Sequence, residues 1–356
     1  MRLLIVTNDF PPKPGGIQQY LGGLVNAWPG PVRVLAPAID EPFQDERVVR
    51  GPRKFMWPTR KVRTWVEEQV REFGADVVLF GAPYPLPFLG PGLRKRLGVP
   101  VAVLGHGAEV VLPSAIPGLR SVFARPLRKA DALFAVSRFT QKRLEKATNR
   151  SVEYVGGGVD TEVFRPGRSE VESVATVGCV SRFVPRKRHR LVLEAAARLQ
   201  REGRSVRVLL VGRGRKEASL RRLADRLGVE AEFAVNVPWS ELPGLYQRMD
   251  VFCMPCRSRW FGLEVEGLGL VFLEASATGI PVLAGDSGGS PETVVEGVTG
   301  FVVRSTDEIV DRLGSLLKDP RGALRMGEAG RCRVEEEFTW TKVAERLQKG
   351  LERLVK

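Results

Sequence analysis

Glu266 and Glu274 stand eight positions apart in the run Glu266-Gly-Leu-Gly-Leu-Val-Phe-Leu-Glu274. The glycines in its first half suit a loop where backbone comes close to a ligand. Val271 to Ala277 reads as the opening of a buried helix that ends near Gly279 and Pro281. Amides at a helix start point outward without intrahelical partners and favour polar or anionic ligand atoms. A carboxylate just before that start and another further along can grip hydroxyl pairs at two ends of one elongated ligand. The plainer reading of such a pair, taken alone, is a capped helix with two solvated acids.

Other chemistry-bearing residues fall in loops that follow apolar runs. Ser181 to Arg190 carries Arg182, Arg186, Lys187, Arg188 and Arg190 directly after the strand-like Ala175–Val180. A charge run is usually a solvated face, but the carboxyl end of a parallel strand is where α/β sheets bind ligands. Charge-assisted bonds from Arg and Lys to phosphate are among the strong ones. Near the N-terminus, Asn8 to Gly16 leads into a helix at Ile17, and Gly15-Gly16 leaves the helix start open to a phosphate or simply makes a tight turn. His106 follows the strand Val99–Leu104 with glycine on both sides, and Asp9 and Glu109 lie in the same strand-end loops. Gly212-Arg213-Gly214 lacks the third glycine and the spaced acid of a dinucleotide fingerprint. Cys253-Met-Pro-Cys256 has no second cysteine pair to complete a zinc site, and only His106 and His189 exist as histidine ligands. It also ends a strand, whereas a redox pair opens a helix.

Elements that position these residues alternate along the chain. In the first half, strand-like runs at Leu3–Thr7, Val32–Ala36, Asp76–Phe80, Val99–Leu104 and Ala132–Val136 enclose helical patterns such as Ile17–Trp28, Lys61–Phe73 and Thr140–Ala147. The second half repeats the scheme with strands at Ala175–Val180, Val206–Val211, Ala231–Val235, Val251–Met254 and Val282–Ala284. Short apolar strands rich in Val and Leu suit sheets buried on both faces. The alternation predicts an α/β chain of two doubly wound parallel sheets. Glycines at 156–158 and Pro166 mark the junction, which gives domains of 1–165 and 166–338 and a final helix over 339–356.

The run from Phe261 to Val303, with Gly285-Asp-Ser-Gly-Gly-Ser-Pro-Glu292 after the strand Val282–Ala284, resembles the donor-sugar site of family 4 retaining glycosyltransferases. Val265 to Ala275 is phrased like the actinobacterial phosphatidylinositol mannosyltransferases. The resemblance implies a GT-B fold, two facing Rossmann-like domains with an interdomain cleft, whose final helix returns to the first domain. It implies that Arg182 and Lys187 clamp the donor diphosphate, that Gly15 and Gly16 touch it, and that Glu274 holds the ribose. It implies that Glu266 and the amides around Leu268, Gly269, Leu270 and Val271 hold the sugar, and that the turn at Val237 meets the base through its backbone. His106 is expected beside the transferred sugar, as a catalytic positioner and not a nucleophile. Asp9, Gln18 and His106 are the expected acceptor contacts. The donor implied is GDP-mannose and the acceptor a phosphatidylinositol mannoside. No cofactor and no metal are expected, because Arg182 and Lys187 replace the metal's charge and the chain contains no Asp-x-Asp pair. The departure at Val235-Asn236-Val237-Pro238, where many relatives have glycine in place of Asn236, leaves the base unread.

With 356 residues, 43% hydrophobic and 27% charged, the chain suits two soluble domains. The formal net charge is +14, with 24 basic against 15 acidic residues in 1–165 and 31 against 26 in 166–356. Nucleic acid, an anionic membrane or phosphorylated substrates would each match such an excess. No nucleic-acid-binding signature accompanies it, and no lysine motif points to a pyridoxal phosphate-dependent phosphorylase. The alternative within the family is another nucleotide sugar, UDP-glucose or UDP-N-acetylglucosamine, with a non-lipid glycan acceptor. No apolar run reaches the length of a membrane span and no signal pattern precedes Arg2, so the expected location is cytoplasmic. Arg53, Lys54, Arg60, Lys61 and Arg63, with Phe55, Met56 and Trp57, are expected to rest on the anionic inner face of the membrane, while Val62, Trp65, Val66, Val70 and Phe73 form a helix stripe packed on the sheet.

Overall fold

The computed structural model describes residues 1–40, 43–107, 119–167 and 174–355. The chain divides into two compact units, Met1–Gly158 with Trp340–Lys356, and Val159–Thr339.

The first unit is built on strands β1 (Leu3–Val6), β2 (Val32–Ala36), β3 (Val48–Arg50), β4 (Val77–Phe80), β5 (Val101–Gly105), β6 (Ala132–Ala135) and β7 (Glu153–Tyr154). They pair in parallel in the order β3-β2-β1-β4-β5-β6-β7. The inner strands are buried along their whole length, as their unbroken apolar runs require. The helix Arg60–Phe73 shows how sequence sets such an element. Thr59 caps it by accepting from the Val62 amide at 3.3 Å, and Gly74 ends it at φ 62°. Its stripe Val62, Val66 and Val70 joins Val78, Phe80 and Val101 in the core, with Trp65 and Phe73 partly buried against it. Each such side chain taken from water contributes about 1.5–3 kcal/mol.

The second unit carries β8 (Ala175–Val180), β9 (Val206–Val211), β10 (Ala231–Ala234), β11 (Val251–Met254), β12 (Val282–Gly285) and β13 (Gly300–Val303), parallel in the order β10-β9-β8-β11-β12-β13. Each sheet reverses its winding direction once, between β1 and β4 in the first and between β8 and β11 in the second. The loops that leave those four strands are therefore where each sheet can hold a ligand. Three strands have no counterpart in the sequence reading: β3, β7 and β13 are edge or near-edge strands of two to four residues, too short for a period to show.

The boundary lies at 158/159 and not at 165/166. Phe164 packs its ring against Trp239 and Tyr246, each at 5.5 Å, and Arg331 donates to the carbonyls of Thr161 at 2.9 Å and Phe164 at 2.8 Å. Residues 159–167 thus belong to the second unit despite the turn-forming Pro166. The chain re-enters the first unit at Trp340. Its indole lies against Gly23 and Gly158, where an added Cβ would stand 2.2 and 2.3 Å from the ring. Tyr20 meets the same indole edge-on at 5.3 Å.

Gly23→Leu is therefore expected to destabilise the first unit by about 1–3 kcal/mol, because a rigid ring cannot swing aside. A fall in the thermal midpoint, with the terminal helix becoming sensitive to protease, is the measurement that checks it.

Candidate functional site

The switch point of the second sheet brings together the basic loop after β8 and the acidic loop after β11. Lys187 Nζ donates to Glu266 Oε2 at 2.7 Å, and the Arg186 guanidinium bonds the same oxygen. All three side chains are largely buried. Burial alone would push the Glu266 carboxyl up, but the charges of Lys187 and Arg186 and their hydrogen bonds outweigh it, and the pKa falls to about 2. Glu264 lies 3.8 Å from Arg186 at the edge of the cluster. The Glu266 backbone is pinned as well. The Glu266 amide donates to Ser287 Oγ at 3.1 Å and its carbonyl accepts from the Gly289 amide at 3.1 Å. Gly288, at φ 58°, lies so close that a Cβ would stand 2.0 Å from the Glu266 carbonyl oxygen.

The five basic residues of the loop separate into different duties. Arg182 is exposed at the strand end. Lys187 and Arg186 are buried on Glu266. Arg188 donates to the Arg304 carbonyl at 2.7 Å, and Arg190 forms a surface pair with Glu194 one helical turn on. His189 is structural: it hydrogen-bonds Ser181 Oγ at 2.8 Å, and burial, helped by the Lys187 charge, lowers its pKa to about 3. Gly212 and Gly214 take their place in the same support. A Cβ on either would strike the carbonyl of Ser181 at 2.2 Å or of Phe183 at 2.6 Å. The Gly-x-Gly thus lets β9 pass under the basic loop.

Past Glu266 the chain continues through buried Leu268 and through Gly269, at φ 91°, into the helix Leu270–Ala277. No side chain caps its start, so the amides of Leu270 and Val271 open toward the loop. Glu274 is buried, and its Oε2 accepts from the Tyr246 hydroxyl at 2.6 Å. Tyr246 is held fully protonated by burial and by that carboxylate. Sequence reasoning missed Arg186 and Tyr246. Adjacency to Lys187 hid the first inside a charge run, and nothing local marks a tyrosine 28 residues from its partner. Val237 sits half-buried in its turn, and Asn236 before it adopts φ 55°. That left-handed backbone suits glycine or asparagine, which explains the substitution seen in the sequence.

In the first unit, Gln18 Nε2 donates to Asp9 Oδ1 at 2.8 Å, and the Asp9 amide donates to Thr7 Oγ1 at 2.9 Å. Gly15 lies over Gln18, whose Oε1 a Cβ would meet at 2.2 Å, and Gly16 is exposed at the helix start. His106 is buried, with Nε2 2.8 Å from the Gly81 carbonyl and its ring edge-on to Tyr20 at 5.0 Å. These groups sit at the carboxyl ends of β1, β4 and β5, the switch point of the first sheet. Glu109 lies outside the described residues. Cys253 and Cys256 are buried thiols, and Cys256 lies 3.5 Å from Ser290 Oγ.

The basic segment is partly corrected. Met56 is fully buried and cannot touch a lipid headgroup. Lys54 pairs with Asp40 and Arg63 with Glu67. Phe55 and Trp57 are exposed, and they continue through exposed Tyr84 and Phe88 as a row of ring contacts at 5.0, 6.5 and 6.3 Å. A groove of about 430 Å³ runs beside it, lined by Arg53, Met56, Lys61, Val62 and Trp65 among others.

A family profile described as "Glycosyl transferases group 1" matches residues 160–333, and one described as "Glycosyltransferase Family 4" matches residues 14–163. The chain is 40% identical, over 97% of its length and 97% of the relative's, to a GDP-mannose-dependent alpha-(1-6)-phosphatidylinositol monomannoside mannosyltransferase of Mycobacterium tuberculosis. A GDP-mannose-dependent monoacylated alpha-(1-6)-phosphatidylinositol monomannoside mannosyltransferase of Corynebacterium glutamicum is 36% identical over 97% and 96%. Among solved structures, Anabaena Alr3699/HepE in complex with UDP superposes with a TM-score of 0.81 at 18% identity, covering 99% of this chain and 100% of that one. Sucrose-phosphate synthase from Thermosynechococcus elongatus gives 0.79 at 20% identity, over 99% and 98%. These likenesses show the fold, which is the GT-B class expected from the sequence.

The folded-state pKa of Glu266 lies below its ordinary 4.5, so its ion pairs add stability above that pH and lose it as pH falls from 4.5 toward 2. Arg186→Gln is expected to cost about 3 kcal/mol at neutral pH, the low end for breaking a buried pair, because Lys187 still faces the carboxylate. Arg186→Lys should recover most of it. Denaturant midpoints at pH 7, 5 and 3 test this: the gap between parent and Arg186→Gln should narrow only below pH 4.5.

Proposed function

We infer the reaction from one premise: this chain belongs to the group 1, or family 4, glycosyl transferases. It transfers mannose from GDP-mannose to a phosphatidylinositol mannoside. The observation that carries this reading is identity of 36–40%, over about 97% of the chain, to mannosyltransferases named for that donor and acceptor. The site described above supplies groups of the right kind for it.

The donor is a diphosphate joined to a sugar, and its charge grows as it leaves. We assign Arg182 and Lys187 to the diphosphate, together with Gly15 and Gly16, because fixed cations aimed at developing charge lower the barrier without a metal. We assign Glu266, ionised at any working pH, to the sugar hydroxyls, beside the amides of Leu268 to Val271. Glu274, oriented by Tyr246, takes the ribose, and the backbone at Val237 meets the base. His106, Asp9 and Gln18 orient the acceptor. In the chemical step the bond from the anomeric carbon to the diphosphate oxygen breaks. The bond to the acceptor oxygen forms on the same face, and the acceptor's proton passes to the departing phosphate. No enzyme group becomes covalently attached.

The lipid acceptor places the reaction at a membrane surface. No helix among the described residues is long and apolar enough to cross a bilayer. We assign peripheral docking to the exposed row Phe55, Trp57, Tyr84 and Phe88, with Arg53, Arg60 and Lys61 beside its first members. Aromatic rings settle at the headgroup level, and each basic residue near an anionic surface is worth about 1 kcal/mol.

Two experiments test the reading. Purified protein should transfer mannose from GDP-mannose, and not glucose from UDP-glucose, to a phosphatidylinositol mannoside. EDTA should leave the rate unchanged, and Lys187→Ala should lower it by on the order of 10²–10³; metal-dependent turnover sinks the assignment of Lys187. Sedimentation with phosphatidylinositol vesicles should weaken with salt and with Glu at positions 53, 60 and 61; equal binding to neutral vesicles refutes the docking surface.

A further inference from the structure

The hairpin that leads into Glu266 carries two bulky rings on backbone that holds them poorly. Arg259 and Glu264 close it, with the Arg259 amide donating to the Glu264 carbonyl at 2.9 Å, the reverse bond at 3.2 Å, and an ion pair at 3.2 Å between their side chains. Between them Trp260 and Phe261 have φ of 52° and 53°, followed by Gly262 at 86°. Left-handed backbone is disfavoured for residues with a Cβ and most of all for bulky ones. Such strain persists only where the surroundings impose it, and it gathers at ligand contacts. Here the imposing groups are visible. Glu264 links Arg259 to Arg186 at 3.8 Å, and Arg186 pairs with Glu266. The tip is therefore tied to the donor-holding carboxylate by a chain of alternating charges.

The rings themselves pack against almost nothing. Trp260 is 65% exposed, Phe261 is fully exposed, and the Arg259 guanidinium lies over the Trp260 ring at 5.2 Å. A ring that stacks on a sugar lies against a wall, whereas Phe261 is open on every side, as a wedge is. The acidic charge at the hairpin base, Glu264, is taken up by Arg259 and Arg186. Arg257, three positions before Trp260, is exposed and forms no ion pair among the described residues.

We propose that the Trp260–Phe261 tip is a second membrane contact: its rings enter the headgroup region of an anionic phospholipid bilayer while Arg257 meets lipid phosphates. This contact belongs to the second unit, is separate from the basic segment of the first, and rests on the lipid-acceptor reading above. It would hold the loop that carries Glu266 at the surface from which the acceptor's headgroup projects. Amphipathic rings and arginine suit that boundary.

The test uses the whole protein with phosphatidylcholine vesicles, with and without phosphatidylinositol, and the same vesicles carrying brominated chains. Brominated anionic vesicles should quench the emission of the parent clearly more than that of Trp260→Phe. The double variant Trp260→Ser, Phe261→Ser should keep its thermal shift with GDP-mannose, bind anionic vesicles about tenfold more weakly, and lose turnover on acceptor in vesicles by a similar factor. On a short-chain, monomeric acceptor it should turn over like the parent. Equal loss on both acceptors means that the tip reads the sugar and overturns the proposal. Unchanged vesicle binding with no Trp260 quenching overturns it as well. Quenching and weakened vesicle binding in a protein that transfers to no lipid acceptor would sustain the contact and refute the acceptor instead.

Discussion

A carboxylate taken out of water between two cations is the interaction on which the second unit's site depends. Removing Glu266, Lys187 and Arg186 from solvent costs several kcal/mol per ion, and only close pairing offsets it. That pairing requires the loop after β8 and the loop after β11 to meet, and they can meet because the sheet reverses its winding between those strands. The requirement propagates outward. The Glu266 backbone must be fixed, so Ser287, Gly288 and Gly289 close on it, and the basic loop must lie low over β9, so Gly212 and Gly214 give up their side chains. The glycines of this region are explained less by flexibility than by how closely one backbone passes another. Gly285 belongs with them, since a Cβ there would lie 2.1 Å from the Cys256 amide nitrogen.

Much of this was legible in the sequence because the signals were local. Parallel strands buried on both faces write themselves as apolar runs, and the spacing of Glu266 from Glu274 marks a loop that opens a helix. What could not be read was set by contacts distant in sequence. Arg182 and Arg186 are chemically the same residue four positions apart, yet one stands exposed and the other is buried on a carboxylate 80 residues away. Tyr246 gains its purpose only when Glu274 folds beside it. Met56, flanked by exposed Phe55 and Trp57, turns inward on a segment with no regular period to announce it. The domain boundary slipped for a related reason. Pro166 is a local turn signal, but Phe164 is claimed by Trp239 and Tyr246 in the second unit, and that packing outweighs the turn.

The two sheets are alike in topology and opposite in the chemistry of their switch points. In the second unit the groups are charged, buried and already paired. In the first, Gln18, Asp9 and His106 are held by ordinary hydrogen bonds to Thr7, Gly81 and one another. A leaving diphosphate needs fixed positive charge, whereas an incoming hydroxyl needs orientation, and the assignments we propose follow that difference.

The charged cluster of the second unit also shows how two cations can be buried side by side. A lone buried lysine would relieve its desolvation by losing its proton, and an unpaired arginine cannot do so and would be destabilising. Glu266 offsets that burial by pairing closely with both Lys187 and Arg186, and those two cations in turn lower its own pKa to about 2. A diphosphate held as we propose would meet cations already dehydrated and oriented by folding, which leaves little reorganisation for the chemical step. Both cations bond the same carboxylate oxygen, Oε2, so the residue that we assign to the sugar hydroxyls is already buried and ionised as the counterion of the cluster.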